Sequence, residues 1–249
     1  MPAYNEAGYI GTFIKQINQL SIRQEFDLLV IDDGSEDNTA GIAEDNGARV
    51  ISHIYNLGYA SALQTAYKYA VEQEYTWLIQ IDSDGQHDCR NIELIYEVLQ
   101  KENAPDIVIG SRFLSDENKL QAGKLKKAAI RFLRFIIKRS TGAVISDPTS
   151  GLQGMNRKAF AFNAGYQNFF PEYPDANMII QMLLNDFAIE EIGAVMYERT
   201  TGKSMHSGIE PVFYAVYMLL SSIAVMLRSR RRSKSEYGKK RSHTNAEKK

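Results

Sequence analysis

The chain has 249 residues, of which 44% are apolar and 24% are charged. These are ordinary values for a soluble globular protein, and they argue against a disordered, collagen-like or disulfide-scaffold chain. The single cysteine, Cys89, excludes an internal disulfide and a cysteine-based zinc site. No apolar run follows a charged start, so we expect no signal peptide.

The net charge of −1 conceals a strong asymmetry along the chain. Residues 228–249 include ten Lys or Arg and two Asp or Glu, a net charge of +8, so the rest of the chain carries −9. A protein that binds nucleic acid in bulk would not concentrate acidic residues on its folded part, so we expect no nucleic-acid partner. A basic tail on an acidic body favours contact with an anionic surface such as a membrane.

Short apolar runs rich in β-branched residues alternate with stretches of helical spacing. The spacing predicts helices over residues 9–20, 39–46, 60–73 and 92–101. The apolar runs predict strands over residues 26–31, 77–81 and 106–110, with a weaker strand over 50–52. This alternation predicts an α/β fold with a mostly parallel, doubly wound sheet flanked by helices. Ligands of such sheets bind at the carboxyl ends of the strands.

Polar clusters follow three of these strands. They are Asp32-Asp33-Gly34-Ser35, Asp82-Ser83-Asp84-Gly85-Gln86-His87 and Ser111-Arg112. Two carboxylates one residue apart at the end of a strand, as in Asp82 and Asp84, can both approach one hard divalent cation. A cation in that position can balance the charge of a departing diphosphate, which predicts a functional face at this edge.

A strongly basic stretch lies between residues 119 and 139, with eight Lys or Arg and no Asp or Glu. Apolar residues interleave with the basic residues at helical spacing, which is typical of a basic amphipathic helix at a membrane interface. A helix packed on the sheet with a solvated basic face fits the pattern equally well.

Residues 211–227 form an uncharged, largely apolar run before the arginine cluster that begins at Arg228. Its length is at the lower limit for crossing a bilayer. A single crossing would place the arginines outside, against the positive-inside rule. We therefore favour a helix that lies in the cytoplasmic interface or re-enters it shallowly, with a buried core helix as the alternative.

Six motifs occur in the order seen in family-2 glycosyltransferases with the Rossmann-like GT-A fold. The series looks most like the dolichyl-phosphate mannosyltransferase branch of polyprenyl-phosphate sugar synthases, and it covers roughly residues 2 to 205. The motifs are Pro2-Ala3-Tyr4-Asn5-Glu6, Val30-Ile31-Asp32-Asp33-Gly34-Ser35, Asn56-Leu57-Gly58, Asp82-Ser83-Asp84-Gly85-Gln86-His87, Gly110-Ser111-Arg112-Phe113 and Asp147-Pro148-Thr149-Ser150-Gly151.

The resemblance implies a donor site and a metal site. Residues matching those that hold the nucleotide base and ribose are Pro2, Tyr4, Glu6 and Asp33. Asp82 would face the ribose and the metal, and the implied Mg²⁺ or Mn²⁺ ligands are Asp82, Asp84 and Gln86. Residues matching a late loop that closes over the donor phosphates are Arg199, Lys203 and Ser204.

The resemblance also implies an acceptor site, in which Arg112 and Arg131 bind the phosphate of the acceptor. Guanidinium groups suit this role because they bind phosphate oxygens in a planar fork. A phosphate is already anionic at neutral pH, so a general base is dispensable, and Asp147 and Asp175 are candidates for an assisting role. The alternative for Asp147 is a turn cap, because Asp-Pro-Thr-Ser is a strong turn sequence.

The sequence departs from the family pattern in two places. Relatives carry a buried strand of about six residues before the first loop, and here Pro2 is the second residue, so we expect this strand to be missing and the native protein to begin upstream. Tyr59 and Ala60 replace a lysine and a glycine that many relatives carry after Asn-x-Gly.

We therefore expect a glycosyltransferase domain over residues 1–205, an apolar membrane-interface helix over 206–227 and a basic tail over 228–249. The expected function is the metal-dependent, inverting transfer of one sugar from a nucleotide-sugar donor to a polyprenyl phosphate, at the cytoplasmic face of the cell membrane. The alternatives are transfer to a sugar hydroxyl in cell-wall or capsule assembly, and a non-catalytic nucleotide-sugar-binding subunit. A small membrane protein is kept as a candidate partner.

Overall fold

The computed structural model describes residues 1–115, 124–170, 172–197 and 217–228. Its helices are α1 (Ile10–Ile17), α2 (Thr39–Asp45), α3 (Tyr59–Glu72), α4 (Asn91–Leu99), α5 (Lys124–Thr141), α6 (Arg157–Ala164), α7 (Ala176–Leu183) and α8 (residues 217–228). Its strands are β1 (Pro2–Ala3), β2 (Leu29–Asp32), β3 (Arg49–Ser52), β4 (Trp77–Gln80), β5 (Ile107–Ser111), β6 (Gln153–Asn156) and β7 (Ile189–Gly193).

The described strands form two sheets. One has the order β1-β2-β3 and is entirely parallel, while the other has the order β4-β6-β5-β7. In the second sheet β5 and β7 are parallel, and β6 runs antiparallel to both β4 and β5. The predicted α/β fold with a mostly parallel sheet flanked by helices is confirmed, although its strands are divided between two sheets.

Strand β1 has two residues. Pro2 and Ala3 pair in parallel with Ile31 and Asp32 of β2, and the amide of Asp33 donates a hydrogen bond to the carbonyl of Ala3 (2.8 Å). In the described residues it pairs with β2 alone. The expectation that a longer strand of the native protein precedes Pro2 stays a prediction.

Strands β6 and β7 were not predicted from the sequence. The sequence of β6, Gln-Gly-Met-Asn, has no β-branched residue, and β7 holds two glutamates among its five residues. Burial explains β6, because Gly154 packs beneath Ile95 and Leu99 of α4 so closely that a side chain would collide with Ile95. Tertiary contact, rather than local propensity, determines this strand.

The core has two apolar clusters. One contains α1 and α4, with buried side chains such as Phe13 and Ile95. The other unites α3, α5, α6, α7 and α8, so the basic helix and the C-terminal helix both pack on the domain. In α5, Leu133 and Ile137 are buried, whereas Arg131 is exposed.

Helix α8 packs on the domain by one side and exposes apolar side chains on the other. Met218, Ser222 and Val225 are buried, and the large apolar side chains that are exposed are Leu219, Leu220, Ile223 and Leu227. Among the described residues, no helix combines the length and the apolar character needed to cross a membrane. Residues 206–216 and 229–249 of the predicted interface helix and tail lie outside the described part.

Asp106 joins three strands of the second sheet. Its carboxylate accepts hydrogen bonds from Asn156 Nδ2 (2.8 Å) at the end of β6, from the amide of Ala188 before β7 (2.9 Å) and from Lys158 Nζ (3.1 Å). Burial alone would raise the pKa of Asp106, but these three donors hold it below its ordinary value. The ionised carboxylate therefore contributes to stability.

We expect Asp106→Asn to lower the free energy of unfolding by about 1–3 kcal/mol at neutral pH, because the amide loses the charge and one acceptor oxygen and cannot accept from all three donors. Because the folded-state pKa is depressed, the contribution is complete above the unfolded pKa of about 4 and is lost as pH falls through the folded pKa. Denaturant melts from pH 7 to pH 3 test this, with the exposed Asp45→Asn as the control. An equal loss in both variants would contradict the assignment.

Candidate active site

Two loops at the carboxyl ends of β1 and β2 are fastened together by side-chain acceptors. The amide of Asn5 donates to Ser35 Oγ (2.9 Å), and the amide of Glu6 donates to Thr39 Oγ1 (2.8 Å). Tyr4 between the strand and these bonds is exposed. The structure therefore brings the predicted nucleotide-binding residues of the first loop beside the Asp32-Asp33 loop.

Asp33 is buried and engaged by protein groups. Its carboxylate accepts hydrogen bonds from the amides of Leu57 (3.0 Å) and Gly58 (2.7 Å), and it lies 2.7 Å from Nδ1 of His53. These contacts fix the Asn-Leu-Gly turn at the start of α3. Its predicted position facing the nucleotide base stays a prediction.

Asp82 lies just beyond β4 and is half-buried. Tyr59 donates its hydroxyl to Oδ1 (2.9 Å), and Nε2 of His87 lies 3.4 Å from Oδ2. Burial would raise the pKa of Asp82, but the hydrogen bond and charge of His87, followed by the Tyr59 hydrogen bond, bring it below its ordinary value. The carboxylate is therefore ionised at neutral pH and suited to a cation.

A chain of hydrogen bonds through buried side chains supports Tyr59, the donor to Asp82. Tyr67 donates to Gln80 Oε1 (2.7 Å), and Gln80 Nε2 donates to the Tyr59 hydroxyl (3.0 Å) and to the carbonyl of Gly151 (2.9 Å). Burial and the charge of Asp82 raise the pKa of Tyr59 well above its ordinary value, so the tyrosine stays a neutral donor.

Gly151 brings the Asp-Pro-Thr-Ser-Gly loop against Asp82. A Cβ atom at residue 151 would overlap the Asp82 carboxylate, so only glycine permits this approach. The loop and the predicted metal motif are distant in sequence, and the contact places them in one site.

The second carboxylate, Asp84, lies in a tight turn. Its Oδ1 accepts a hydrogen bond from the amide of Gln86 (3.1 Å), and Gly85 between them has a φ of 77° and packs on the ring of Tyr9. No group of three or more His, Cys, Asp or Glu among the described residues is arranged to hold a metal. Two carboxylates and an amide oxygen are ligand types that Mg²⁺ takes together with substrate phosphates. The assignment of Asp82, Asp84 and Gln86 as the ligands stays a prediction.

The segment that follows β7 is hydrogen-bonded to the Asp82–His87 motif and to Asp88. The amide of Tyr197 donates to the carbonyl of Gln86 (2.7 Å), and the amide of Asp88 donates to the carbonyl of Val195 (3.3 Å). His87 is buried between them, and its Nδ1 has no hydrogen-bond partner among the described residues. The predicted loop residues Arg199, Lys203 and Ser204 lie outside the described part of the chain.

Arg112 and Asp147 form a buried ion pair. Nε and Nη2 of Arg112 donate to the two carboxylate oxygens of Asp147, each at 2.7 Å, and Nη2 also donates to Thr149 Oγ1 (2.7 Å). Burial alone would lower the pKa of Arg112, but Asp147 and then the charge of Asp175 raise it. Asp147 is fully buried, so the geometry makes it a support for the guanidinium. Its predicted part in catalysis stays a prediction.

The second arginine near this pair is Arg134 rather than the predicted Arg131. Arg131 is exposed on α5, whereas Arg134 donates its Nε to the carbonyl of Ser146 (2.7 Å) and its guanidinium lies 4.5 Å from the Phe113 ring centroid. The basic stretch indicated the helix, but one sequence does not show which of its arginines turns toward the site. The role of Arg131 in acceptor binding stays a prediction.

Comparison with known proteins gives consistent results. Residues 1–162 match the family model described as glycosyl transferase family 2. An uncharacterised protein of Methanocaldococcus jannaschii is 34% identical over 160 residues, and the match covers 64% of each chain. This chain thus spans less than two thirds of that relative's length. The polyprenol monophosphomannose synthase of Mycolicibacterium smegmatis is 22% identical over 224 residues, 84% of this chain and 80% of its own.

A solved structure shows the same fold. Glucosyl-3-phosphoglycerate synthase from Mycobacterium tuberculosis, in complex with Mn²⁺ and UDP-glucose, aligns with 90% of this chain and 76% of its own, with a TM-score of 0.65 and 20% sequence identity. The match to the family model extends over well over half of the chain and includes the Asp82 and Asp84 motif, Arg112 and Asp147. As the motif order predicted, the chain belongs to glycosyl transferase family 2.

Proposed function

We propose that the protein is a metal-dependent, inverting glycosyltransferase that moves one sugar from a nucleotide-sugar donor to a polyprenyl phosphate. The observation that carries this proposal is the contact between Asp82 and Gly151, which joins a carboxylate pair suited to a donor diphosphate with an arginine fork suited to a phosphate. The mycobacterial relative named as a polyprenol monophosphomannose synthase supports this acceptor class.

The donor half of the site would be held by the first two loops and the metal motif. Asp82, Asp84 and Gln86 would bind Mg²⁺ or Mn²⁺, which balances the negative charge that develops on the departing nucleotide diphosphate. Pro2, Tyr4, Glu6 and Asp33 would surround the base and ribose. Tyr59 would keep Asp82 oriented without adding a positive charge beside the cation.

The acceptor half of the site would be held by Arg112. Asp147 accepts from Nε and Nη2 and fixes the plane of the guanidinium, so that the positive group is oriented before a phosphate arrives. An acceptor phosphate oxygen attacks the anomeric carbon as the bond from that carbon to the donor diphosphate breaks, which inverts the configuration. No proton has to be removed, because the phosphate is anionic at neutral pH.

This geometry favours a phosphate over a sugar hydroxyl as the acceptor. A hydroxyl needs a general base, and both oxygens of Asp147 already accept hydrogen bonds from Arg112. Asp175, whose charge raises the pKa of Arg112, is the carboxylate to test for that alternative. Asp175→Asn should leave transfer to a phosphate largely intact and should abolish transfer to a hydroxyl.

The membrane surface is the proposed location of the reaction, on the cytoplasmic face, with the protein bound peripherally or monotopically. Helix α5 exposes Phe132 and Phe135 beside Arg131, and α8 exposes Leu220, which is 61% exposed, among other apolar side chains. Exposed aromatic and aliphatic side chains next to basic residues suit the headgroup region of an anionic membrane.

We expect Asp82→Asn and Asp84→Asn each to lower kcat/KM by about 100-fold or more, because each weakens the balance of leaving-group charge. Chelation of divalent cations should stop transfer, and Mg²⁺ or Mn²⁺ should restore it. The assay measures the incorporation of labelled sugar into extractable lipid, with and without added polyprenyl phosphate. Asp45→Asn serves as the control. Undiminished transfer by both variants, or turnover that polyprenyl phosphate does not accelerate, would refute the proposal.

We expect Gly151→Ala to disable the site while leaving the protein folded, because the added methyl group displaces the Asp82 carboxylate. Transfer should fall by about 10-fold or more, in line with the loss of one well-placed charged contact. The matched control is Gly8→Ala, since a Cβ at residue 8 meets no atom within 4 Å. Circular dichroism checks the fold, and equal activity of the two variants would exclude the close approach.

We expect Phe135→Ser to weaken binding to vesicles that contain anionic lipid, because it removes an apolar side chain that is 65% exposed on the basic helix. Added salt should weaken the binding of the wild type further, since the basic residues contribute through screened charge. Co-sedimentation with vesicles measures the effect. Ile54→Ser, which removes a side chain that is 96% exposed elsewhere, serves as the control and should bind like the wild type.

A further inference from the structure

We propose that Glu191 is a positioning residue for acceptor binding, which acts on Arg112 through the loop that begins at Ser146. This inference rests on the proposed function, because it takes the ligand of Arg112 to be the phosphate of the acceptor. No sequence motif points to Glu191, since it lies in the middle of β7 between ordinary strand residues.

Glu191 holds the start of the loop through three hydrogen bonds. One carboxylate oxygen accepts from the amide of Ser146 (2.6 Å), and the other accepts from Ser146 Oγ (2.9 Å) and from the amide of Asp147 (2.8 Å). Hydrogen bonds to an ionised acceptor are shorter and stronger than neutral ones. The carboxylate therefore fixes two successive peptide groups of this loop.

The orientation of those peptides determines where the Asp147 side chain points. Pro148 follows and has no amide hydrogen, so it cannot donate a backbone hydrogen bond to this turn. On the other side of Ser146, its carbonyl accepts from Arg134 Nε (2.7 Å), so Ser146 is held at both its amide and its carbonyl. The Ser146 hydroxyl also lies 2.6 Å from that of Ser111, beside Arg112.

The path from Glu191 to the acceptor site is thus short. Glu191 fixes the backbone of Asp147. The Asp147 carboxylate in turn accepts from Nε and Nη2 of the Arg112 guanidinium and from the backbone amide of Arg112 (3.0 Å). Strand β7 pairs with β5 in register, Glu191 opposite Ile109, so the carboxylate stands on a rigid element next to the strand that leads into Arg112. A site held on a sheet is more precise than one held by a loop alone.

Glu191→Gln is the informative change, because it preserves shape and removes the charge. The amide has one acceptor oxygen where the carboxylate has two, so its NH₂ group would face a donor of the loop. We expect the KM for polyprenyl phosphate to rise roughly 10-fold, the loss expected for a charge-assisted hydrogen bond. The KM for the nucleotide sugar should change little, and the melting temperature should fall by only a few degrees, because one hydrogen bond of the fold is lost.

The matched control is Glu190→Gln, the same substitution one residue earlier. Glu190 is exposed and, because side chains alternate along a strand, it faces away from the loop. A second measurement does not depend on the acceptor: the rate at which an arginine-selective dicarbonyl modifies Arg112, followed by peptide mapping. Loosening of the Asp147 pair should raise this rate in Glu191→Gln and leave it unchanged in Glu190→Gln.

The outcomes separate the two proposals. A raised acceptor KM with faster Arg112 modification, absent in Glu190→Gln, supports the role of Glu191. Equal behaviour of the two variants, or an equal loss for both substrates with a lowered melting temperature, overturns it. If Glu191→Gln does not fold, Ser146→Ala removes the hydroxyl that contacts both Glu191 and Ser111, and Ser111→Ala removes the second of these contacts alone. Ser146→Ala should then shift both readouts in the same direction by a smaller factor than Glu191→Gln and by more than Ser111→Ala. Equal readouts for the two serine variants overturn the inference. Wild-type turnover indifferent to polyprenyl phosphate refutes the proposed function, while Arg112 modification still decides the case of Glu191.

Discussion

The contact between the Asp82 carboxylate and the backbone of Gly151 is the constraint on which the rest of the site depends. Because residue 151 has no side chain, the carboxylate at the end of β4 can lie against the loop that begins at Asp147, so the two halves of the site share one wall. Gln80 reinforces the wall by donating to the carbonyl of Gly151. Because packed interiors yield little, a carboxylate fixed in this way is oriented before any substrate binds.

Under the proposed function, the charges of the site serve two anions. Asp82 and Asp84 would attract the cation that binds the donor diphosphate, and Arg112, paired with Asp147 and influenced by the charge of Asp82, would attract the acceptor phosphate. Isolated, the guanidinium would be costly to bury, and pairing with Asp147 removes most of that cost. The same pairing explains how an arginine can be held ready for a phosphate deep in a mostly acidic domain.

The sequence predicted the parts of the fold that local pattern determines. The β-branched runs identified β2, β4 and β5 within a few residues, whereas β6 and β7 escaped because their polar residues become strand only through burial and pairing. In the site, the Asp82 and Asp84 motif could be singled out because it follows a predicted buried strand and stands in a series of ordered motifs, and its role in metal binding stays a prediction. Glu191 and Arg134 could not be singled out, since their importance arises from contacts across more than ten residues of chain.

Tyr59 has a consequence for the electrostatics of the carboxylate pair. Its hydroxyl donates a hydrogen bond to Asp82 and, because its pKa is raised, it contributes no net charge. In the proposed mechanism the negative charge of the carboxylate pair would then be balanced by the divalent ion rather than by Tyr59, and a sugar diphosphate would depend on that ion to enter the site.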